Sequence, residues 1–333
     1  MFRILFVLLA ILLPMKGNGQ TRFRIVEYNV ENLFDTQHDT LKNDYEFLPS
    51  STRNWNEKRY WKKQKNLAKV IMAIGGEKPA DLVALCEVEN HRTLTDLTHR
   101  SILRRAGYQY IMTSSPDDRG IDVALLYQPS TFKPISYQCI NVHPETIEKK
   151  NTRDILLVTG MVYTGDTLDV MVCHMPSRSG GKKRSEPFRL HTAKYLRNTV
   201  DSLLNIRNNP RIIITGDFND EPTDKTLLEV LRAGKESVDI DDTKELYNLM
   251  YDVKPGTYRY KGEWNTLDQM IVNGLLLPAK AQIFMPNYLL EDEPKFGGKK
   301  PKRNYVGMRY NNGFSDHLPI YTDLFIRDDK ENR

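Results

Sequence analysis

What most limits the folds open to this chain is a series of short apolar runs that stop on polar residues. Runs rich in Val, Ile and Leu occupy residues 23–28, 82–86, 123–127, 155–163, 168–173, 212–215, 267–272 and 318–325. Their period and β-branched content predict buried strands. Between several of them, apolar residues near a 3.6-residue spacing predict helices over 60–74 and 185–204. Strand and helix therefore alternate, the pattern of an α/β fold. No sustained heptad or short repeat is present, which excludes coiled coils and solenoids.

The runs end alike. The first leads into Asn29, Val30, Glu31 and Asn32, the second stops at Glu87, and the fifth stops at His174 in HMPSRSGG. The sixth ends in Gly216, Asp217, Phe218 and Asn219; TLDQMIV sets Asp268 inside a strand, and GFSDHLPI places Asp316 and His317 at the mouth of the last. Taken singly, each has an ordinary explanation. Asn29, Asn32 and Asp316 are turn formers, Glu87 reads as a loop carboxylate, and His174 as a hydrogen-bonded core imidazole. Asp217 and Asn219 are harder to dismiss, because residues two apart in an extended segment point to the same side. Independent turn residues would scatter over both rims of a sheet, whereas these recur at the same end of most strands, so one shared site is the economical reading.

With 333 residues, 40% hydrophobic and 27% charged, the chain can bury a sizeable core. Residues 1–19 join Arg3 to an apolar stretch and end in small residues, the pattern of a cleaved secretory signal and too short to span a bilayer. The expectation is a single catalytic domain over 20–333, exported to a periplasmic or extracellular space, monomeric and without a membrane span. Losing Arg3 and Lys16 with that signal lowers the formal charge by two, from +5 to +3. Lys58, Arg59, Lys62, Lys63 and Lys65 form one basic cluster and Lys299, Lys300, Lys302 and Arg303 another, either solvated faces or a nucleic-acid footprint. Cys86, Cys139 and Cys173 allow at most one disulfide, and the first and last read as buried free thiols.

Acidic and amide oxygens with two histidines suit a hard cation better than zinc, so Mg2+ is expected, with Mn2+ and Ca2+ as alternatives. Glu87 with Asp316 is a plausible minimal carboxylate set. Water attack on phosphorus also needs a group to hold the water and one to protonate the leaving oxygen. Asp217, His174 and His317 fit those posts, and Asp268 and Asp122 are candidate partners for the histidines.

The ordered set YNVEN, LVALCEVEN, GIDVALLY, CHMPSRSGG, IIITGDFND, TLDQMIV and FSDHLPI resembles the endonuclease/exonuclease/phosphatase superfamily, the group of deoxyribonuclease I, apurinic endonucleases and neutral sphingomyelinases. The match spans Asn29 to His317. The resemblance implies a four-layer α/β sandwich: two mixed β-sheets packed face to face, helices outside, active site at one rim. It also implies roles. Glu87 is the principal metal ligand, assisted by Glu31 and Asp316. Asn29 contacts the metal-bound phosphate or water network, Asn219 holds the phosphate, and Asp217 orients or deprotonates the water. His317, oriented by Asp268, stabilises the phosphoryl transition state, and His174 stands beside the leaving oxygen. Both Asp217 and His317 remain candidates for the base. Asp122 as partner of His174 rests on the RGIDVALLY match, and Arg119 and Arg178 are candidate phosphate contacts.

The implied activity is Mg2+-dependent phosphoester hydrolysis, of phosphodiester or endonuclease type. The alternatives are a lipid or small-molecule phosphoesterase of the same fold, and an inactive binding protein. Segment 293–313 is expected either to loop over the site or to be a solvated insertion. Ser315, Asp316 and His317 are excluded as a Ser-His-Asp triad, since consecutive residues cannot fold onto one another. For Asp316 and His317 to serve one centre, the backbone must bend between extended neighbours there.

Overall fold

The computed structural model describes residues 22–143, 151–235 and 243–325. The segment read as a secretory signal lies outside the described residues. Alternating burial along the strands builds two sheets. The first holds β1 (Arg22–Leu33), β2 (Leu82–Val88), β3 (Gln109–Met112), β4 (Asp122–Tyr127), β14 (Ala281–Ile283) and β19 (Ile320–Phe325), in the order β14-β19-β1-β2-β4-β3. The second holds β5 (Phe132–Ile140), β6 (Ile155–Val162), β7 (Thr167–His174), β8 (Ile212–Asp217), β9 (Ala233–Gly234), β10 (Leu246–Asn248) and β13 (Asp268–Asn273), in the order β5-β6-β7-β8-β13-β10-β9. Both are mixed: β1 runs parallel to β2 and β7 to β8, while β19 and β13 return antiparallel beside β1 and β8.

The sheets pack face to face because each strand offers an apolar row every second residue. Phe23 and Ile25 of β1, Leu82 and Ala84 of β2, and Val123 and Leu125 of β4 meet Leu156, Val158, Val170, Val172, Ile213 and Met270 from the other sheet, all buried. Apart from the small Ala84, each such side chain contributes roughly 1.5–3 kcal/mol relative to exposure. The opposite rows face helices. Leu67, Val70, Ile71 and Ile74 of α1 (Glu57–Gly75) cover Val26, Tyr28, Val83 and Leu85. Besides the short α2 (His91–Thr95), a longer helix α3 (Lys182–Ile206) covers the second sheet, setting Ala193, Leu196 and Val200 on Met171, Ile212 and Ile214. The result is the four-layer helix-sheet-sheet-helix sandwich.

Local chemistry sets the ends of α1. The Asn56 side chain accepts the backbone N–H of Arg59, and the helix stops at Gly76, whose φ of 77° suits glycine. Three hairpins have no signature in the apolar pattern, one just before β13 and two after it: β11 (Tyr258–Tyr260) with β12 (Glu263–Asn265), β15 (Leu290–Asp292) with β16 (Lys299–Pro301), and β17 (Tyr305–Val306) with β18 (Arg309–Tyr310). Among the described residues no helix is long and apolar enough to cross a membrane. All three cysteines are free, Cys86 and Cys173 buried and Cys139 exposed.

Candidate active site

Strand direction gathers the polar ends on one rim. The C-terminal ends of β1, β2, β7 and β8 lie there, with the N-terminal ends of β13 and β19. In the second sheet three residues stand in one row: His174 pairs with Asp217, and Asp217 with Asp268. Partners in a row project to the same face. Gly216, with φ of 141°, lets β8 press against β7 just before Asp217, where a Cβ would run into the Cys173 carbonyl.

The first sheet reaches the rim through irregularities. The ladder between β1 and β2 breaks between Asn29 and Leu33, and that between β2 and β4 between Cys86 and Val88. Glu31, Asn32 and Glu87 take φ of 51°, 56° and 66°, and Asn219, just beyond β8, takes 51°. Left-handed backbone at non-glycine residues costs on the order of 1–3 kcal/mol each and collects where side chains must be re-aimed.

Asp217 lies at the centre. Its Oδ1 accepts the Asn219 N–H at 2.8 Å and its Oδ2 the Asn29 Nδ2 at 3.0 Å. Oδ2 also lies 3.6 Å from His174 Nε2 and 3.8 Å from His317 Nε2. The second ring nitrogen of His317, Nδ1, stands 2.8 Å from Asp268 Oδ2. Asn29 reaches towards Glu87, with Nδ2 3.5 Å from Oε1, while Glu87 Oε2 accepts the Asn32 N–H at 2.8 Å. Ser315 Oγ donates to the Asn29 carbonyl at 2.6 Å and accepts the His317 N–H at 3.1 Å, tying the mouth of β19 to β1. The backbone bends at Asp316, the geometry expected from sequence.

These surroundings drive the two histidines apart. Burial works against charge on His317, but Asp268 and Asp217 outweigh it and hold the pKa well above 6.5. Burial pushes His174 well below 6.5, reinforced by Arg153, Arg119 and His317. Burial raises Asp217 to about 7, with His317 opposing and Asp268 and Glu87 adding to the rise. The groups open onto a cleft of about 650 Å3, also lined by Arg119, Lys182, Tyr258 and Tyr260.

Residues 24–326 match the family model described as Endonuclease/Exonuclease/phosphatase family. The chain belongs to the endonuclease/exonuclease/phosphatase family. No curated protein sequence matches it. Solved structures share its fold at low identity. A family protein from Bacteroides thetaiotaomicron has a TM-score of 0.59 at 16% identity, covering 92% of this chain and 98% of its own. The human Nocturnin catalytic domain with bound sulfate has 0.56 at 17%, covering 91% and 94%. D. rerio TDP2 complexed with a single-strand DNA product has 0.56 at 16%, covering 91% and 99%. Members of the family are hydrolases acting on phosphoesters, typically dependent on a divalent metal.

Within this family member the structure brings together Asn29, Glu87, His174, Asp217, Asn219, Asp268, Asp316 and His317. One expectation needs correction. Asp122 does not partner His174 and does not line the cleft. Its Oδ1 accepts Thr113 Oγ1 at 2.6 Å and the Ser115 N–H at 2.8 Å, and the Ser115 hydroxyl also donates to it, whereas His174 Nδ1 has no hydrogen-bond partner among the described residues. Arg178 lines the cleft, and its guanidinium donates to the Asn219 carbonyl at 2.7 Å, Asn265 Oδ1 at 3.0 Å and Asp224. Glu31 has both oxygens engaged, Oε2 by the Asn304 N–H at 2.6 Å and Oε1 by Arg303 at 3.3 Å. Arg119 does line the cleft, exposed and bonded to Asn32 Oδ1.

Sequence reasoning missed several neighbours. Arg153 holds the carbonyls of His174 and Met175 at 3.2 Å and 2.8 Å. Tyr258 packs against the His317 ring with centroids 4.9 Å apart. Lys63 and Arg303, read as members of basic clusters, turn inward. Lys63 is fully buried, and Arg303 bonds Asp316 Oδ2 at 2.8 Å. Segment 293–313 carries hairpin strands, and Arg303 reaches from it into the site.

The donor set fits a divalent cation. Asp217, Asp268 and His317 offer ligand atoms within 4.8 Å of one another, but His317 Nδ1 is bonded to Asp268, which makes that trio an ion-pair relay rather than a metal cage. Glu87 is different: its side chain is 15% exposed and lines the cleft beside Asp316. One or two carboxylates open to water and phosphate are what Mg2+ takes. Burial, then Asp316, raises Glu31 to about 7 despite Lys63 and Arg303.

Proposed function

We propose that this chain is an exported, Mg2+-dependent phosphodiesterase, of nuclease type, that hydrolyses a P–O bond by in-line attack of water. The carrying observation is the position of Asp217, whose Oδ2 lies 3.6 Å from one histidine and 3.8 Å from the other. Those rings have opposite protonation tendencies. When bound, the cation, held by Glu87 beside Asp316, neutralises charge at the phosphoryl group.

The chain's own groups divide the remaining work. His317, kept cationic by Asp268 and Asp217, cannot accept a proton at neutral pH and serves to stabilise charge developing on a phosphoryl oxygen. Asp217 is then the group that takes the water's proton, aimed by the donors of Asn29 and Asn219. His174, neutral, offers an N–H to the leaving oxygen rather than a full positive charge. Asn219 spends one amide N–H on the Met175 carbonyl at 3.1 Å and keeps the other for phosphate.

Two features support a nucleic-acid diester. Arg119 and Lys182 give the cleft a cationic side, and Tyr258 and Tyr260 give it an aromatic side on which a base can stack. The D. rerio TDP2 neighbour was solved with a single-strand DNA product. The test is a panel of plasmid DNA, a bis-aryl phosphate, a mono-aryl phosphate and sphingomyelin, each with Mg2+. Salt-sensitive nicking of plasmid together with diester turnover is expected. Turnover confined to the monoester or the lipid contradicts the reading.

A further inference from the structure

We propose that Arg303 is a resident counter-cation: it holds Glu31 and Asp316 so that the site takes a single divalent cation, at Glu87. The proposal rests on the metal-dependent reading above and adds how many ions the site accepts and which residue sets that number.

A guanidinium bridging two carboxylates is unremarkable on an open surface, where ion pairs contribute little. Arg303 is not so placed. It comes from the far end of the chain, with Nη2 2.8 Å from Asp316 Oδ2 and Nε 3.3 Å from Glu31 Oε1, and Glu31 is buried. Its backbone is pinned on both sides. The Lys302 N–H donates to the Leu289 carbonyl at 2.7 Å, the Asn304 N–H to Glu31 Oε2 at 2.6 Å, and the Phe314 N–H back to the Lys302 carbonyl at 2.7 Å. Gly313 permits that close return, since a Cβ there would strike the carbonyls of Lys302 and Arg303. Helix α1 fixes the same segment, with Asn66 Nδ2 donating to the Gly313 carbonyl at 2.7 Å.

The charges then balance in one way. Glu31, Asp316 and Glu87 are three carboxylates attracting the same buried ammonium, that of Lys63. Arg303 adds a second fixed cation against two of them. Two-ion phosphoester sites hold their metals roughly 3.5–4 Å apart and bridge them with carboxylates. Here the oxygens a second ion would need, both of Glu31 and Oδ2 of Asp316, already accept N–H donors. Glu87 keeps one carboxylate oxygen, Oε1, with long contacts alone, 3.5 Å from Asn29 Nδ2 and 3.9 Å from His174 Nε2, and it lines the cleft. Removing the guanidinium frees Glu31 Oε1 and Asp316 Oδ2 together, which amounts to creating a second oxygen site beside the first.

The experiment is Mn2+ binding to the full chain, read by electron paramagnetic resonance and calorimetric titration, for wild type, Arg303→Gln and Arg303→Lys. Expected are one Mn2+ per chain in wild type and in Arg303→Lys, and two in Arg303→Gln. Two ions in wild type, or one in Arg303→Gln, overturns the inference while leaving the phosphoesterase reading standing. No Mn2+ bound to any of the three overturns both. Arg303→Met, a second neutral variant that keeps the aliphatic stem, is titrated beside them and is likewise expected to bind two, so that the test does not hang on the stability of the glutamine variant.

Discussion

Oδ2 of Asp268 and Nδ1 of His317 lie 2.8 Å apart in a contact that is nearly closed to solvent, and the other nitrogen of the same ring faces Asp217 at 3.8 Å. A buried carboxylate on one nitrogen fixes both the tautomer and the charge of the imidazole. The arrangement favours the charged form of His317, and in the proposed mechanism the neighbouring Asp217 is the proton acceptor.

Asp268→Asn preserves the shape of that contact and removes its charge. The pKa of His317 should fall, since Asp268 is the strongest influence raising it. Diester turnover at neutral pH should drop by about 100- to 10,000-fold, and the alkaline limb of the pH–rate profile should move to lower pH. An unchanged profile would show that Asp268 only fills space.

Asp217→Asn and His174→Ala remove the proposed base and the proposed leaving-group donor. Each should lower kcat by about 100- to 10,000-fold with little change in KM and a native circular dichroism spectrum. Full activity in both variants would sink the assignment of the site.

Stability should respond to pH and Mg2+ together. The folded chain holds Asp217 and Glu31 near 7, whereas their ordinary values are 3.8 and 4.5. Between those limits the native state binds more protons than the unfolded one, so stability falls as pH rises through that window. His317 acts in the same sense: its contribution is complete below pH 6.5 and is lost as pH climbs through its raised value. A cation competes with those protons and relieves the repulsion. The gain in Tm on adding Mg2+ should therefore be clearly larger at pH 8 than at pH 5, and equal gains in calorimetry would contradict this.

Gly216→Ala should be costly far beyond an ordinary surface change. A Cβ at φ of 141° would collide with the Cys173 carbonyl and force β7 and β8 apart just below His174 and Asp217. A loss of about 3 kcal/mol or more in a urea titration is expected. A loss under roughly 1 kcal/mol would mean that the two strands are not so closely opposed.

Much of the fold was legible because it rests on local periodicity. The apolar runs at 82–86, 168–173 and 212–215 correspond to β2, β7 and β8, and the helical spacing over 60–74 and 185–204 to α1 and α3. The run at 23–28 understates β1, which continues through a bulge to Leu33, because a bulge disturbs the two-residue period that marks a strand. The hairpins of 258–265 and 290–310 left no such mark, being short, mostly half-buried and without an apolar alternation.

The same contrast governs the site. Asp217, Asp268 and His317 announced themselves by standing at strand ends. Arg303 did not, because its bond to Glu31 joins segments 272 residues apart and depends on a pinned return of the chain at Gly313. Asp122 misled for the opposite reason: the hydroxyls and amide that satisfy it belong to Thr113 and Ser115, close in sequence but unmarked by any apolar pattern.

The most direct measurement is hydrolysis of a bis-aryl phosphodiester by the full chain with Mg2+, after EDTA, and after Mg2+ is restored, beside Asp217→Asn. Turnover that vanishes with EDTA, returns with Mg2+, and is nearly absent from the variant at every step is the predicted result. Turnover that survives EDTA, or a variant that keeps wild-type rates, would contradict a cation-dependent attack in which Asp217 takes the proton.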